Sequence, residues 1–104
     1  MKIDYSPKSI NDLQNLKDSI MDKFYDEDLV KEVISDITKN IRKLEIFPGM
    51  GKKLIISGNV DVGYRYLFCR KNYIFYRIEE ESIYIVRILH EKQDFTRILL
   101  GVSE

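Results

Sequence analysis

The sequence predicts an α+β domain in which a helical hairpin packs on one face of an antiparallel sheet. Apolar residues recur at helical spacing in two segments of the first half, and β-branched and aromatic residues dominate after residue 52. Between these regions, residues 47–51 contain one proline and two glycines, which end any helix. At 104 residues, the chain is expected to form a single domain spanning residues 1–104.

The first half predicts one short strand and two helices. Residues 2–5 alternate polar and apolar side chains, Ser6 can cap a helix, and Pro7 suits the first helical turn. The first helical stripe comprises Ile10, Leu13, Leu16, Ile20 and Phe24. Three acids at residues 26–28 then precede a second helix, where they favour the positive end of its dipole. The second stripe comprises Leu29, Val33, Ile34, Ile37, Ile41 and Leu44.

The second half predicts a run of three or four antiparallel strands and a short final helix. The strands are expected over residues 53–57, 64–70, 73–79 and 83–89. The turns are expected at residues 58–59, 63, 71–72 and 80–82, and short connections make the last three strands a meander. Asp94 can cap a helix over Phe95–Leu100, which Gly101 ends. We expect the sheet face opposite the hairpin to be partly open.

The composition excludes several classes of protein. With 44% hydrophobic and 33% charged residues, the chain is too apolar to be disordered. No apolar run reaches about 18 residues, so no transmembrane helix is expected. The N-terminus lacks a hydrophobic signal core and Cys69 has no partner for an internal disulfide, which together favour the cytoplasm. One cysteine and one histidine are too few for a zinc site, and residues 47–53 lack the spacing of a phosphate-binding loop, so no metal or other cofactor is predicted.

The charges are balanced overall but unevenly distributed. The formal net charge is zero, yet residues 52–77 contain six basic residues and one acid, Asp61, for a net charge of +5. The six basic residues are Lys52, Lys53, Arg65, Arg70, Lys71 and Arg77. This stretch is either a solvated face of the sheet or a local site for phosphate groups or for an acidic partner.

His90 is the only histidine, and histidine is the side chain best suited to proton transfer near neutral pH. As a general acid, His90 could protonate the leaving 5′ oxygen during RNA cleavage, while Arg65 and Arg87 stabilise the charge of the transition state. Alternatively, His90 closes the last strand and bonds to Asp94 or to a backbone carbonyl. Both interpretations stay open at this point.

The alternation of side chains along a strand indicates which basic residues share a face. It places Arg87 on the face of Ile85 and His90 on the other face, so these two converge only if His90 has left the regular strand. It also places Arg65 on the face opposite the neighbouring tyrosines and Arg70. The pattern therefore does not predict a single basic cluster.

Five tyrosines fall in the predicted strands: Tyr64, Tyr66, Tyr73, Tyr76 and Tyr84. An aromatic ring on an open sheet can stack on a nucleic-acid base. Tyrosine is also an ordinary strand residue that packs well on a half-buried sheet. We expect packing to account for most of the five.

Three strand motifs, taken in order, resemble the RelE/ParE superfamily of bacterial toxins. They are Gly63-Tyr64-Arg65-Tyr66-Leu67-Phe68, then Tyr73-Ile74-Phe75-Tyr76-Arg77-Ile78, then Val86-Arg87-Ile88-Leu89-His90 followed by Asp94. The N-terminal strand that ends at Ser6-Pro7 and the helical hairpin also match, so the resemblance covers nearly the whole chain.

The resemblance implies the toxin of a type II toxin–antitoxin pair, silenced by tight binding of a cognate antitoxin. In this superfamily, RelE-like and YoeB-like members cut mRNA in the ribosomal A site, and ParE-like members inhibit DNA gyrase. YoeB-like members carry a carboxylate base near the strand that follows the helices, where this chain has Lys52 and Lys53. The closing R-x-L-H-x-x-x-D motif with a terminal helix is closer to the ParE-like members.

Two hypotheses of different classes follow, together with a third in which the chain is an inactive relative. The enzyme hypothesis is a metal-independent ribonuclease that cuts ribosome-bound mRNA to arrest growth, in a module that serves plasmid stabilisation or the stress response. Its catalytic residues are Arg65, Arg87 and His90, and its phosphate-binding residues are Lys52, Lys53, Arg70 and Lys71. The binding hypothesis is a gyrase inhibitor with no catalytic activity, which contacts its target through the hairpin or the terminal helix. No membrane partner is expected, and the sequence leaves both a monomer and a homodimer open.

Overall fold

A mixed sheet of five strands forms the centre of the fold, and helices pack on both of its faces. The computed structural model describes residues 1–101. Along the chain the elements are β1 (Lys2–Tyr5), α1 (Pro7–Phe24), α2 (Glu27–Lys43), a 3₁₀ turn (Pro48–Met50), β2 (Lys52–Ile56), β3 (Val60–Cys69), β4 (Asn72–Ile78), β5 (Ser82–His90) and α3 (Phe95–Leu100). The strand order is β1-β5-β4-β3-β2. Strands β2 to β5 form an antiparallel meander and β1 pairs with β5 in parallel, which confirms the predicted α+β fold.

The helix ends follow the capping signals of the sequence. The Ser6 hydroxyl accepts the backbone N–H of Ser9 at 2.9 Å, and an Asp26 carboxylate oxygen accepts that of Leu29 at 3.0 Å. The third helix begins at the predicted cap, Asp94, and ends at Gly101 in the left-handed conformation. The predicted starts of α1 and α3 are confirmed, because capping signals act within about one helical turn. The second helix begins at Glu27, so only Asp26 precedes it, and Glu27 and Asp28 lie in its first turn. Within residues 1–101, no helix is long and apolar enough to cross a membrane.

The two faces of the sheet carry separate apolar cores. The hairpin of α1 and α2 covers one face, and its fully buried core residues include Ile37, Ile41, Leu44, Ile74, Tyr76, Ile83 and Ile85. On the other face, the buried residues are Leu54, Phe75 and Leu89. Phe95 and Leu99 of α3 pack against this second core, so the terminal helix covers part of the face that was expected to be partly open.

Two β-bulges change the predicted alternation of side chains. In β5, Arg87 pairs with Phe75 but Ile85 pairs with Tyr76, so Val86 is an extra residue. As a result, Ile85 belongs to the hairpin core and Leu89 to the opposite core, and the prediction that Arg87 shares a face with both Ile85 and Leu89 is wrong. A bulge reverses the parity of every residue that follows it.

The second bulge lies in β3, which begins at Val60 rather than at the predicted residue 64. Gly63, expected to be a turn, lies inside this strand with a φ of +82°, at the shift in register between β2 and β3. The predicted turn at residues 71–72 is also displaced by one residue, because Arg70 and Lys71 adopt φ values of 52° and 64° and Cys69 pairs with Asn72. Arg70 has therefore left the strand and does not share the face of the tyrosines.

Candidate functional site

Arg65 binds the turn that joins the helical hairpin to the sheet. Its Nη1 donates to the backbone oxygen of Gly51 at 2.8 Å and to that of Gly49 at 3.3 Å. Arg65 pairs with Tyr76 across β3 and β4 and precedes Leu67, which packs against the hairpin core. The guanidinium predicted to stabilise a transition state is therefore engaged in a backbone contact on the hairpin side of the sheet.

Tyr76 completes the anchoring of the same turn. Its hydroxyl donates to the backbone oxygen of Pro48 at 2.8 Å and accepts the N–H of Gly51 at 2.9 Å. The side chain is fully buried, and this burial raises the pKa of Tyr76 above the ordinary value of a tyrosine, against the smaller opposing effects of Gly51 and Arg65. Tyr76 and Arg65 together fix the path of the chain between helix and sheet.

Arg87 forms a bidentate ion pair with Asp12 of α1. Nε donates to Oδ2 and Nη2 to Oδ1, each at 2.8 Å, and Oδ2 also accepts the backbone N–H of Ile88 at 2.9 Å. Hydrogen bonding to Asp12 raises the pKa of Arg87 despite the opposing effect of burial. The guanidinium of Arg87 is therefore bound to Asp12, a partner that the sequence analysis did not identify.

The helical period contained a signal for Asp12. This residue precedes Leu16 by four positions and Ile20 by eight, which places its carboxylate on the buried face of α1. A charged residue on such a face requires a partner of opposite charge. The identity of that partner, 75 residues further along the chain, depends on the tertiary fold.

His90 closes β5 at the beginning of a tight turn. Its Nδ1 accepts the backbone N–H of Lys92 at 3.2 Å, which leaves Nε2 as the nitrogen available to donate. The side chain of Gln93 accepts the backbone N–H of His90 at 2.8 Å. Asp94, proposed above as an alternative partner, instead caps α3 through the N–H of Arg97. Within residues 1–101, the imidazole therefore bonds neither to Asp94 nor to a backbone carbonyl.

A cavity of about 430 Å³ lies between α1, the β3–β4 turn and the turn after β5. We call it the basic cavity, because its lining includes His90 and three lysines, Lys23, Lys71 and Lys92. The rest of the lining is Asp12, Asn15, Leu16, Ser19, Asn72, Ile88, Glu91 and Gln93. Of the seven predicted site residues, only Lys71 and His90 share this cavity.

The other predicted phosphate-binding residues lie elsewhere. Arg70 forms ion pairs with Asp36 at 3.4 Å and with Glu32 at 3.9 Å, both on α2. Lys52 and Lys53 are exposed on β2, which is an edge strand. Strand β4 separates the strands that carry Arg65 and Arg87, and these two residues bind different partners. The structure therefore distributes the seven residues over several separate places.

The aromatic residues of the open face pack mainly against one another. Tyr73 lies 5.6 Å from Tyr66 and 5.8 Å from Phe75, measured between ring centroids, and Phe95 of α3 lies 5.3 Å from Phe75. Among the other strand tyrosines, Tyr64 packs against the same core and Tyr84 lies under the guanidinium of Arg77 at 4.8 Å. The expectation that most of the tyrosines pack is confirmed. Phe68, with 52% of its surface exposed, extends the aromatic cluster to the solvent.

The arrangement offers no group of ligands for a metal ion. Within residues 1–101, no three His, Cys, Asp or Glu side chains are grouped so that they could hold one. The side chains of the basic cavity instead suit an anion, because lysine ammonium groups and a histidine N–H are hydrogen-bond donors.

Comparisons with known proteins identify the family. The model of the ParE toxin of the type II toxin–antitoxin system, parDE, matches residues 3–95. Among solved structures, the chain is similar to one described as the chromosomal ParDE toxin–antitoxin system from P. aeruginosa, with a TM-score of 0.72 and 20% identity, over 86% of this chain and 95% of that chain. At this identity the likeness concerns the fold alone. The comparison with curated proteins gave no match. Because the family model covers most of its length, the chain belongs to the ParE toxin family of type II toxin–antitoxin systems.

Proposed function

We propose that the chain arrests bacterial growth in the cytoplasm by binding DNA gyrase and inhibiting it, without catalysing a reaction of its own. Membership of the ParE toxin family supports this target over the ribosome. The same membership implies a cognate antitoxin as the second partner, which silences the toxin by binding it. Such a pair can maintain the plasmid or chromosome that encodes it.

The observation that carries the proposal is the engagement of both candidate catalytic arginines in internal contacts. Arg87 is bound to Asp12 through two hydrogen bonds of 2.8 Å, and Arg65 binds two backbone oxygens of residues 49 and 51. A residue that stabilises a transition state must donate to the charge that develops there. Freeing either arginine for RNA would require breaking contacts that hold the fold together.

The exposed side of α3 is the surface that we assign to the target. Phe95 and Leu99 pack the helix onto the sheet, which leaves Arg97 and Ile98 exposed on its outer side. Ile98 has 38% of its surface exposed, and Ile10, on α1, has 57%. An apolar side chain held outward on a packed helix is a ready contact for a partner protein.

Ribosome-dependent mRNA cleavage is the second candidate function. It is favoured by one observation, the presence of His90 and three lysines around the basic cavity. In that mechanism His90 would donate a proton to the leaving oxygen. The two functions differ in whether the imidazole is needed.

The test is induction of the chain in bacteria without its antitoxin, followed within minutes by mapping of mRNA 5′ ends and measurement of the DNA-damage response. We expect growth arrest with intact messages and an induced damage response, and inhibition of purified gyrase by the purified chain. The variant His90→Asn keeps an acceptor for the N–H of Lys92 and should retain gyrase inhibition. Loss of a general acid would instead lower a cleavage rate by about 100-fold or more.

The matched variant for the binding surface is Ile98→Glu, which should weaken gyrase inhibition while antitoxin binding shows that the chain is folded. A different outcome would be cuts at defined codons in translated messages, present with the original chain and absent with His90→Asn. That outcome would show that the target is the ribosome and not gyrase. Absence of growth arrest with a folded chain would overturn both functions and support an inactive relative.

A further inference from the structure

We propose that the basic cavity binds a phosphodiester group of a nucleic acid. The toxin would then contact a nucleic-acid backbone directly, in addition to any contact with a protein target. This inference does not depend on the gyrase proposal, because it concerns a different surface from the outer side of α3 and can be measured with the purified chain alone.

The positive charge of the cavity is not neutralised by its surroundings. Within the described part of the chain, Lys23, Lys71 and Lys92 form no ion pair with an acidic side chain. Of the two acids in the lining, Asp12 is already bound to Arg87, which leaves Glu91 as the acid to oppose the three lysines. An anion that enters the cavity therefore meets a net positive charge.

Two of the three lysines, Lys71 and Lys92, are carried by backbone segments that are fixed to one another. The N–H of Glu91 donates to the backbone oxygen of Lys71 at 2.8 Å, which joins the β3–β4 turn to the turn after β5. Inside the second turn, the N–H of Gln93 donates to the oxygen of His90 at 2.9 Å, and the Gln93 side chain accepts the N–H of His90. Because these bonds exist without a ligand, binding orders little additional backbone.

The shape and chemistry of the lining favour a compact anion over an acidic peptide. The three lysines come from separate segments of the chain, namely α1, the β3–β4 turn and the turn after β5, and all line the same cavity. The neutral polar side chains between them, Asn15, Ser19, Asn72 and Gln93, can each donate a hydrogen bond. Among residues 1–101, the apolar lining is limited to Leu16 and Ile88, which gives no pocket for the side chains of a peptide. Lysine is a common ligand of backbone phosphates, which it contacts as a point charge.

The affinity should be modest and dependent on salt. The formal net charge of the chain is zero, so long-range attraction to a polyanion is weak and the cavity must act locally. Contact with one or two phosphates releases few counterions, which predicts a slope of about −1 to −2 for log K against log salt concentration.

The experiment is a titration of the ¹⁵N-labelled full chain, followed by amide chemical shifts, with short duplex DNA, single-stranded RNA of the same length, inorganic phosphate or polyglutamate. We expect the largest shifts at Lys71, His90 and Lys92 with a nucleic acid, and weaker binding at higher salt. A preference for duplex DNA or for RNA identifies the source of the phosphodiester, and either result supports the proposal. Equal shifts with inorganic phosphate or polyglutamate, with no tighter binding of a nucleic acid, would overturn it.

Three variants distinguish binding at the cavity from nonspecific attraction between charges and from loss of the fold. Lys92→Ala and Lys71→Gly should each weaken nucleic-acid binding by about threefold or more and reduce the salt slope by about one. Glycine suits the φ of 64° at that position, so we expect Lys71→Gly to keep the fold while it removes the ammonium group, and urea denaturation checks this. The matched control is Lys39→Ala, which removes an exposed lysine of α2 outside the cavity. An equal loss in Lys39→Ala would contradict a defined site.

Discussion

The carboxylate of Asp12 binds the guanidinium of Arg87 through two hydrogen bonds of 2.8 Å and, through the same Oδ2, the backbone N–H of Ile88 at 2.9 Å. Strand β1 ends at Tyr5, so it pairs only with the first half of β5. Beyond Ile85, the cap and the first helix take over the contacts with β5. The hydroxyl of Ser6, the N-cap of α1, donates to the backbone oxygen of Val86 at 2.7 Å. Asp12 therefore joins the first helix to the last strand.

The first prediction concerns this ion pair. Asp12→Ala should lower the free energy of unfolding by about 3 kcal/mol, because it leaves a partly buried guanidinium and a buried N–H without their acceptor. Urea denaturation measures the change. Asp22→Ala, which removes an exposed carboxylate of the same helix, should change the value by less than about 0.5 kcal/mol. If Arg87→Ala and Asp12→Ala both lose toxicity, the loss is explained by the lost ion pair and its effect on folding. If Asp12→Ala is as stable as the original chain, the ion pair has no structural role.

The second prediction uses two glycines of one turn. A Cβ added at Gly51 would lie 2.5 Å from the Tyr76 hydroxyl and 2.8 Å from the backbone oxygen of Tyr66, while one at Gly49 would meet nothing within 4 Å. Gly51→Ala should therefore lower the free energy of unfolding by about 2 kcal/mol, through displacement of a buried ring and its hydrogen bonds. Gly49→Ala should change it little. Equal thermal midpoints for the two variants would show that the turn tolerates displacement.

The third prediction is a loss of stability in alkali that depends on Tyr76. Its pKa is raised in the folded state, so the contribution of the protonated phenol is fully present below about pH 10 and is lost as pH rises through the folded pKa. Tyr76→Phe should lower the free energy of unfolding by about 1–2 kcal/mol at neutral pH, because Pro48 and Gly51 lose their partner. The difference between the two proteins should shrink above about pH 10. Tyr5, whose pKa is also raised by burial, is present in both and cancels.

A difference that stays constant across this range of pH would show that Tyr76 has the same pKa in the folded and unfolded states, and would contradict the raised pKa. The pair of Asp12 and Arg87 should add no pH dependence near neutrality from its arginine. The raised pKa of Arg87 means that the contribution of its charge persists below the ordinary pKa of arginine and is lost only at still higher pH.

The fourth prediction concerns the turn between β3 and β4. Arg70 and Lys71 both adopt the left-handed conformation, which costs a residue with a Cβ about 1 kcal/mol or more. Lys71→Gly should therefore raise the free energy of unfolding by about 1 kcal/mol. Arg70→Gly should give a smaller gain, because it also removes the ion pair with Asp36. Destabilisation by Lys71→Gly in urea denaturation would mean that the lysine side chain stabilises the turn.

The sequence by itself determined the features that depend on neighbouring residues. The start of α1 at Ser6-Pro7 and both ends of α3 follow from side chains within one turn of the helix end. The acids at residues 26–28 indicated the region where α2 begins. The order of the elements along the chain, the helical hairpin and the antiparallel pairing of the last three strands also followed, because periodicity and turn residues act over short stretches. The parallel pairing of β1 with β5 did not. The superfamily was recognisable for the same reason, since its motifs lie within single strands.

Only the tertiary structure decided what the predicted site residues contact. Arg87 reaches Asp12 across 75 residues of sequence, and Arg65 reaches the turn at Gly51, so neither position carries its partner in its local pattern. The bulge at Val86 reversed the alternation on which the placement of Arg87 depended. The meeting of Lys71 with His90 around one cavity likewise depends on the pairing of Asn72 with His90. The periodicity of a helix or strand specifies which face of the element a side chain occupies. The partner on that face is set by how the elements pack against one another.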